Sequence, residues 1–199
     1  MSAEFRTVAG GGSGIAYAEA GAGEAIVVVA ASTTPAPAHH LLAKDRHVFI
    51  FADDGAAPES LAGRIGAALA ALGVRRFDLI GHGAGAAAVL WLALARPAET
   101  GAVVLVGPTA LAARGGALEQ RLGELKRPVL ALFGTKGAHA PDEGDRYRTL
   151  LPDCHLMFAY ESGNEVERDR PEALAFIVRE FCERRDLFLV SRDSGLTLP

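Results

Sequence analysis

The chain has 199 residues, half of them apolar and 22% charged, with a formal net charge of −4, enough to bury a sizeable core in one domain spanning residues 1–199. Its 20 basic residues are 17 Arg and 3 Lys spread along the sequence, which leaves no electrostatic footprint for nucleic acid. Only two cysteines, Cys154 and Cys182, and no secretory leader argue for a cytoplasmic protein, and the apolar runs Ala25–Ala31 and Ala84–Ala95 fall short of the roughly 18 to 20 residues that cross a membrane.

Short β-branched runs alternate with segments of helical period, the pattern of an α/β fold with a doubly wound, mostly parallel sheet and helices on both faces. Gly14–Glu19 reads as an early strand behind the Gly10-Gly11-Gly12 turn. Ile26–Ala30 is apolar without interruption, as a central strand is, and His47–Ala52 is the next. Between Pro58 and Gly73, residues Leu61, Ile65, Leu69 and Leu72 recur at spacings of four, four and three. That spacing predicts an amphipathic crossover helix, opened by proline and closed by glycine. Phe77–Ile80 forms a strand, Gly81–Gly85 a turn, and Ala86–Ala95 a helix apolar nearly all round, which must be buried before Arg96-Pro97 stops it. Ala102–Val106 and Val129–Phe133 are further strands, separated by a Gly- and Ala-rich stretch and a polar helix Leu118–Lys126. His155–Tyr160 is the last core strand. Pro171 opens a closing helix with Leu174, Ile177, Val178 and Phe181 on one face, and the tail Leu187–Pro199 has no clear period.

Doubly wound sheets place their chemistry at the carboxyl ends of the strands. There the chain reads Gly81-His82-Gly83-Ala84-Gly85. This is the frame of G-x-S-x-G, the sharp strand-to-helix turn that lifts a serine hydroxyl clear of the sheet, with glycine where the serine would stand. On this motif and the segments after it, the sequence resembles the α/β-hydrolase family from about Gly14 to Arg185. Arg127-Pro128-Val129-Leu130-Ala131-Leu132-Phe133-Gly134-Thr135-Lys136 is similar to the family's seventh strand and acid-bearing loop, with Gly137 at the acid position. Phe158-Ala159-Tyr160-Glu161-Ser162-Gly163-Asn164 is similar to the segment that ends in the catalytic histidine, with Asn164 in its place. The family's His-Gly oxyanion loop is replaced by Ala31-Ser32-Thr33, and only about twenty residues follow Thr109 before the next strand, too few for a substrate-covering cap. The resemblance therefore implies a capless α/β-hydrolase fold with ancestry in ester hydrolysis. It also implies a triad whose three positions, Gly83, Gly137 and Asn164, can neither attack, nor orient an imidazole, nor accept a proton.

From this we expect a non-catalytic module without cofactor or metal, binding a small apolar ligand at Ala31, Ser32, His82, Gly83 and Ala84, or a protein partner. A homodimer through the uncapped face fits the apolar surface that loss of a cap exposes. Two alternatives stay open. A hydrolase of small carboxylic esters could draw on Asp53, Asp54, His82 or His139, although Asp53 and Asp54 before Gly55 also suit a turn. Gly81-x-Gly83-x-x-Ala86 matches a nucleotide-binding fingerprint, yet Gly107, Pro108 and Thr109 offer no acid for a ribose. His39-His40 reads as surface polarity, since adjacent side chains diverge and no third metal ligand follows. Cys154 and Cys182 read as packing residues, Trp91 as core, and Ser32, Thr33, Thr34 and Ser162 as ordinary loop hydroxyls.

Overall fold

Six apolar runs between Ala25 and Ala159 pair in parallel because a crossover separates each from the next. The computed structural model describes residues 4–8, 14–109, 111, 115–137 and 141–185. In chain order its elements are β1 (Arg6–Val8), β2 (Tyr17–Ala20), β3 (Ala25–Ala30), α1 (Pro37–Leu42), β4 (His47–Ala52), α2 (Pro58–Ala71), β5 (Phe77–His82), α3 (Gly85–Ala95) and β6 (Thr100–Val106). There follow α4 (Ala117–Arg121), a single 3-10 turn (Leu122–Glu124), β7 (Val129–Gly134), α5 (Pro141–Leu150), β8 (Cys154–Ala159), α6 (Val166–Asp169) and α7 (Pro171–Arg184). The strands form one sheet in the order β1-β2-β4-β3-β5-β6-β7-β8. The β1–β2 and β2–β4 pairs are antiparallel and every later pair is parallel.

Alternation along each strand divides the core between two faces. Val27, Val29, Phe51, Leu79 and Leu105 pack under α2 and α3, whereas Val28, Ile50, Ile80, Val104 and Leu132 pack under α1 and α7. Helix α3 is buried from Gly85 to Ala93, as its apolar circumference requires. Trp91 is 9% exposed, with the Arg121 guanidinium 5.4 Å from its ring centroid. Each fully buried aliphatic or aromatic side chain contributes roughly 1.5–3 kcal/mol by leaving water, so these two layers dominate the stability of the sheet.

From β3 the chain crosses to β4 on one side and then returns past β3 to β5 on the other. Such a reversal opens a crevice at the carboxyl ends of β3 and β5, where the sequence places its glycine-rich turn. Several boundaries differ from the sequence expectation for local reasons. The first expected strand starts later, at Tyr17, because Gly14 adopts a left-handed φ of +66°. Strand β5 runs on through Gly81 and His82, which pair with Leu105 and Val106 of β6. The helix expected over Leu118–Lys126 shortens to α4 and tightens into the 3-10 turn at Gly123, a poor helix former. Strand β8 starts at Cys154 and ends at Ala159, just before Glu161 takes φ +56°. Helices α1 and α5 carry no apolar period and were not expected. No helix among the described residues is long and apolar enough to cross a membrane. The Gly10-Gly11-Gly12 turn, His139 and the tail Leu187–Pro199 lie outside the described residues.

Candidate functional site

The turn between β5 and α3 is set by contacts that tolerate no side chain. A Cβ at Gly81 would lie 2.6 Å from the Ala86 Cα, and one at Gly85 would lie 2.4 Å from the Val29 carbonyl oxygen. Strand, turn and helix can therefore close this sharply only with glycine on both sides. Between them Gly83 takes φ +53°, and a Cβ there would meet nothing within 4 Å. Its backbone is held at both ends: the Gly83 N–H donates to the Val106 carbonyl at 3.0 Å, and its own carbonyl accepts from the Thr109 N–H at 3.1 Å. The turn thus keeps the geometry of a crest that would display a side chain, at a position that carries none.

Above the crest lies a cleft of about 440 Å³. The five residues expected to bind a ligand, Ala31, Ser32, His82, Gly83 and Ala84, all line it, together with Asp53 and Asn164. Gly137 does not. It sits in the turn after β7, its N–H bonded to the Gly134 carbonyl at 3.1 Å. The loop carrying Asn164 is drawn onto the strand ends by two further glycines. A Cβ at Gly107 would fall 2.6 Å from the Asn164 carbonyl oxygen, and one at Gly134 would fall 1.9 Å from that of Gly163. Ser162 is wholly buried, its hydroxyl directed at the Gly163 carbonyl and the Asp169 carboxylate. Asp53 caps the Gly55 N–H at 3.1 Å, and Asp54 caps the Ala56 N–H and pairs with Arg64 at 2.7 Å. Both therefore serve the turn that their spacing before Gly55 suggests. The hydrogen bond from Arg64, then that from the Ala56 N–H, holds the Asp54 carboxyl below its ordinary value.

The expectation for His39 is overturned. Far from the surface, His39 is 2% exposed, because α1 lays it under the sheet end, while its neighbour His40 turns outward against the Phe5 ring. His39 Nδ1 accepts the Ala36 N–H at 3.0 Å, and its Nε2 lies 3.2 Å from Nε2 of His82. A neutral imidazole with an accepting Nδ1 carries its hydrogen on Nε2, so His39 donates to His82. The hydrogen of His82 then resides on Nδ1, which faces the Glu167 Oε2 at 3.2 Å. That last contact falls short of a hydrogen bond, and among the described residues neither atom has a hydrogen-bonding partner. Burial above all, then the neighbouring imidazole of His82, pushes the His39 pKa down to about 3. Burial pushes Glu167 upward, but the His82 contact, together with a backbone N–H and the Arg168 cation, outweighs it and the carboxyl ends below its ordinary value.

Glu167 has no local signal in the sequence, standing on the four-residue helix α6. Its one pointer is position, three residues after Asn164 in the segment that the hydrolase resemblance sets over the crest. The two cysteines are inert thiols: burial lifts Cys154 to about 12 and raises Cys182 well above its ordinary value. Among the described residues no group of three or more His, Cys, Asp or Glu side chains is arranged to hold a metal ion.

No protein-family model matches the sequence, and no curated protein matches it significantly. Solved structures do. The chain is similar to an α/β hydrolase from the metagenome of sediments of the Mar Chica lagoon, Morocco, at 18% identity and a TM-score of 0.76, over 90% of this chain and 99% of that one. It is similar to the carboxylesterase CesB from Bacillus subtilis at 13% identity and a TM-score of 0.74, over 91% and 92% of the two chains. A CIB-like hydrolase from Thermoplasma acidophilum gives 17% identity and a TM-score of 0.74 over 91% and 98%. With the strand order and the glycine crest, these likenesses establish that the chain has the α/β-hydrolase fold.

Proposed function

We propose that the protein is a non-catalytic binding module built on the α/β-hydrolase fold, holding a small apolar molecule in the cleft above Gly83. One observation carries this reading: the crest bears no nucleophile, and no hydroxyl of the cleft bonds to the imidazoles beside it. Acyl transfer needs a hydroxyl or thiol within reach of an unoccupied basic nitrogen. Here His39 Nδ1 is filled by a backbone N–H, the two Nε2 atoms face each other, and His82 Nδ1 faces Glu167. The hydroxyls that line the cleft, Ser32, Thr34 and Thr109, bond to neither imidazole. What the imidazoles do instead is fasten α1, β5 and α6 together along one wall of the cleft.

The purified protein is expected to hydrolyse 4-nitrophenyl acetate no faster than buffer. It is expected to gain thermal stability with uncharged aliphatic or aromatic probes such as hexanamide or indole. Ala31→Trp, which fills the exposed rim of the cleft, should abolish that gain. Ester turnover that disappears in His82→Gln would overturn the reading, as would a probe response that Ala31→Trp leaves intact.

A further inference from the structure

The opposite end of the sheet holds a second cavity, of about 400 Å³, where the amino ends of β3, β5, β6 and β7 meet. Its lining is rich in charge, and the charges do not cancel. Glu99 is paired with Arg96 at 3.0 Å, Glu24 with Arg46, and Asp78 accepts the Ala102 N–H at 2.7 Å. Each acid of the lining thus has its own partner. The guanidiniums of Arg75 and Arg76, in the loop between α2 and β5, have no hydrogen bond or ion pair among the described residues. Arg127 reaches only the Pro97 carbonyl. Among the described residues, three cations without a carboxylate therefore line one recess, beside an Arg185 that lies near Asp78, in a chain whose net charge is −4.

Helix ends account for none of these three. The C-termini of α2 and α3 lie at this end of the sheet, and their exposed carbonyls attract cations. Yet the last turn of α2 is closed by backbone donors, Leu72 to Ala68, Gly73 to Ala70 and Val74 to Leu69, and that of α3 by Arg96 to Leu92. Neither Arg75 nor Arg76 bonds a carbonyl. Their chemistry is that of planar donor forks, which match the paired oxygens of a phosphate more closely than an ammonium does.

We infer that this recess is an anion site, in which Arg75, Arg76 and Arg127 receive the phosphate group of a small phosphomonoester. It is separate from the cleft, at the other end of strands of about 20 Å, and it does not depend on whether the cleft is catalytic. A recess of this size takes a small soluble molecule. The same headgroup chemistry on a lipid is the other source of such a phosphate.

Isothermal titration at fixed ionic strength with inorganic phosphate, phenyl phosphate and acetate tests the assignment, with Arg75→Gln/Arg76→Gln as the principal variant. Both side chains are exposed and unpaired, so this variant should keep the parent melting temperature. Saturable binding of phenyl phosphate, weakened at least tenfold in that variant and in Arg127→Gln, with acetate bound more weakly, is the expected result. Phosphatidic acid vesicles that bind where phenyl phosphate does not would replace the soluble ligand with a lipid surface and overturn the proposal. Absence of saturable phosphate binding would overturn it too, as would binding that the double variant leaves unchanged.

Discussion

Strand β5 carries two buried polar residues on one face, four positions apart, and they are satisfied in opposite ways. Asp78, 4% exposed at the amino end, accepts a backbone N–H from Ala102, with the Cys182 thiol and the Arg185 cation nearby. His82, 7% exposed at the carboxyl end, meets only side chains, His39 from α1 by a hydrogen bond and Glu167 from α6 by a close contact. The first arrangement locks strand to strand inside the sheet. The second ties two peripheral helices to the rim of a cleft, so its members belong to segments that can loosen without dismantling the sheet. The same strand is thus anchored firmly at one end and adjustably at the other.

The largest expected effect is at the rigid end. Asp78→Ala leaves the buried Ala102 N–H without its acceptor and should lower stability by about 3 kcal/mol, read as a loss in denaturant midpoint at unchanged slope. His82→Leu strands Glu167 and the His39 donor, but the Glu167 side chain is 12% exposed and can turn to water. Its cost should be nearer 2 kcal/mol, and a cost above that of Asp78→Ala would reverse the ranking of the two ends.

The ends should also respond to pH with opposite sign. The fold accepts His39 only as the neutral base, with a pKa of about 3 against an ordinary 6.5. Its contribution is therefore complete above pH 6.5 and is lost as pH falls from there toward 3, by at most about 1.4 kcal/mol per pH unit. Glu167, held below its ordinary value, adds to the loss as pH falls through its folded pKa. Burial raises Asp78 instead, so its contribution is present below the ordinary carboxyl value and lost as pH rises through the folded one. Chemical denaturation between pH 4 and 7 should show a shallower slope in His39→Gln than in the parent; equal slopes would remove His39 from the account. The smallest effect is expected at the crest. Gly83→Ser meets open space and bears only the left-handed backbone, at roughly 1 kcal/mol, without gain of ester turnover. A rise in melting temperature would contradict the φ of +53°.

The sequence revealed these two regions unequally. Runs such as Ile26–Ala30 and the spacing of Leu61, Ile65 and Leu69 carry their structure locally, because burial on a given face leaves a period that can be read. The glycine frame around Gly83 was legible as a motif, although only Gly81 answers to a nearby contact, at Ala86, while Gly85 answers to Val29. His39 was not. Six residues of α1, opened by Pro37, are too few to show a period, and the partner that buries His39 stands 43 residues further on. Glu167 was hidden likewise, since its place beside His82 depends on how the loop after β8 folds back over the sheet. Gly137 shows the limit of positional resemblance, because a matching place in the chain did not bring it to the cleft.

That fold-back rests on Gly107 and Gly134, whose backbones touch the Gly163 and Asn164 carbonyls with no room for a methyl group. The aperture is thus calibrated from its foundations rather than its rim. An alanine at either glycine would act as a shim, lifting the overhanging segment and altering what can enter without touching any residue that an entrant would meet.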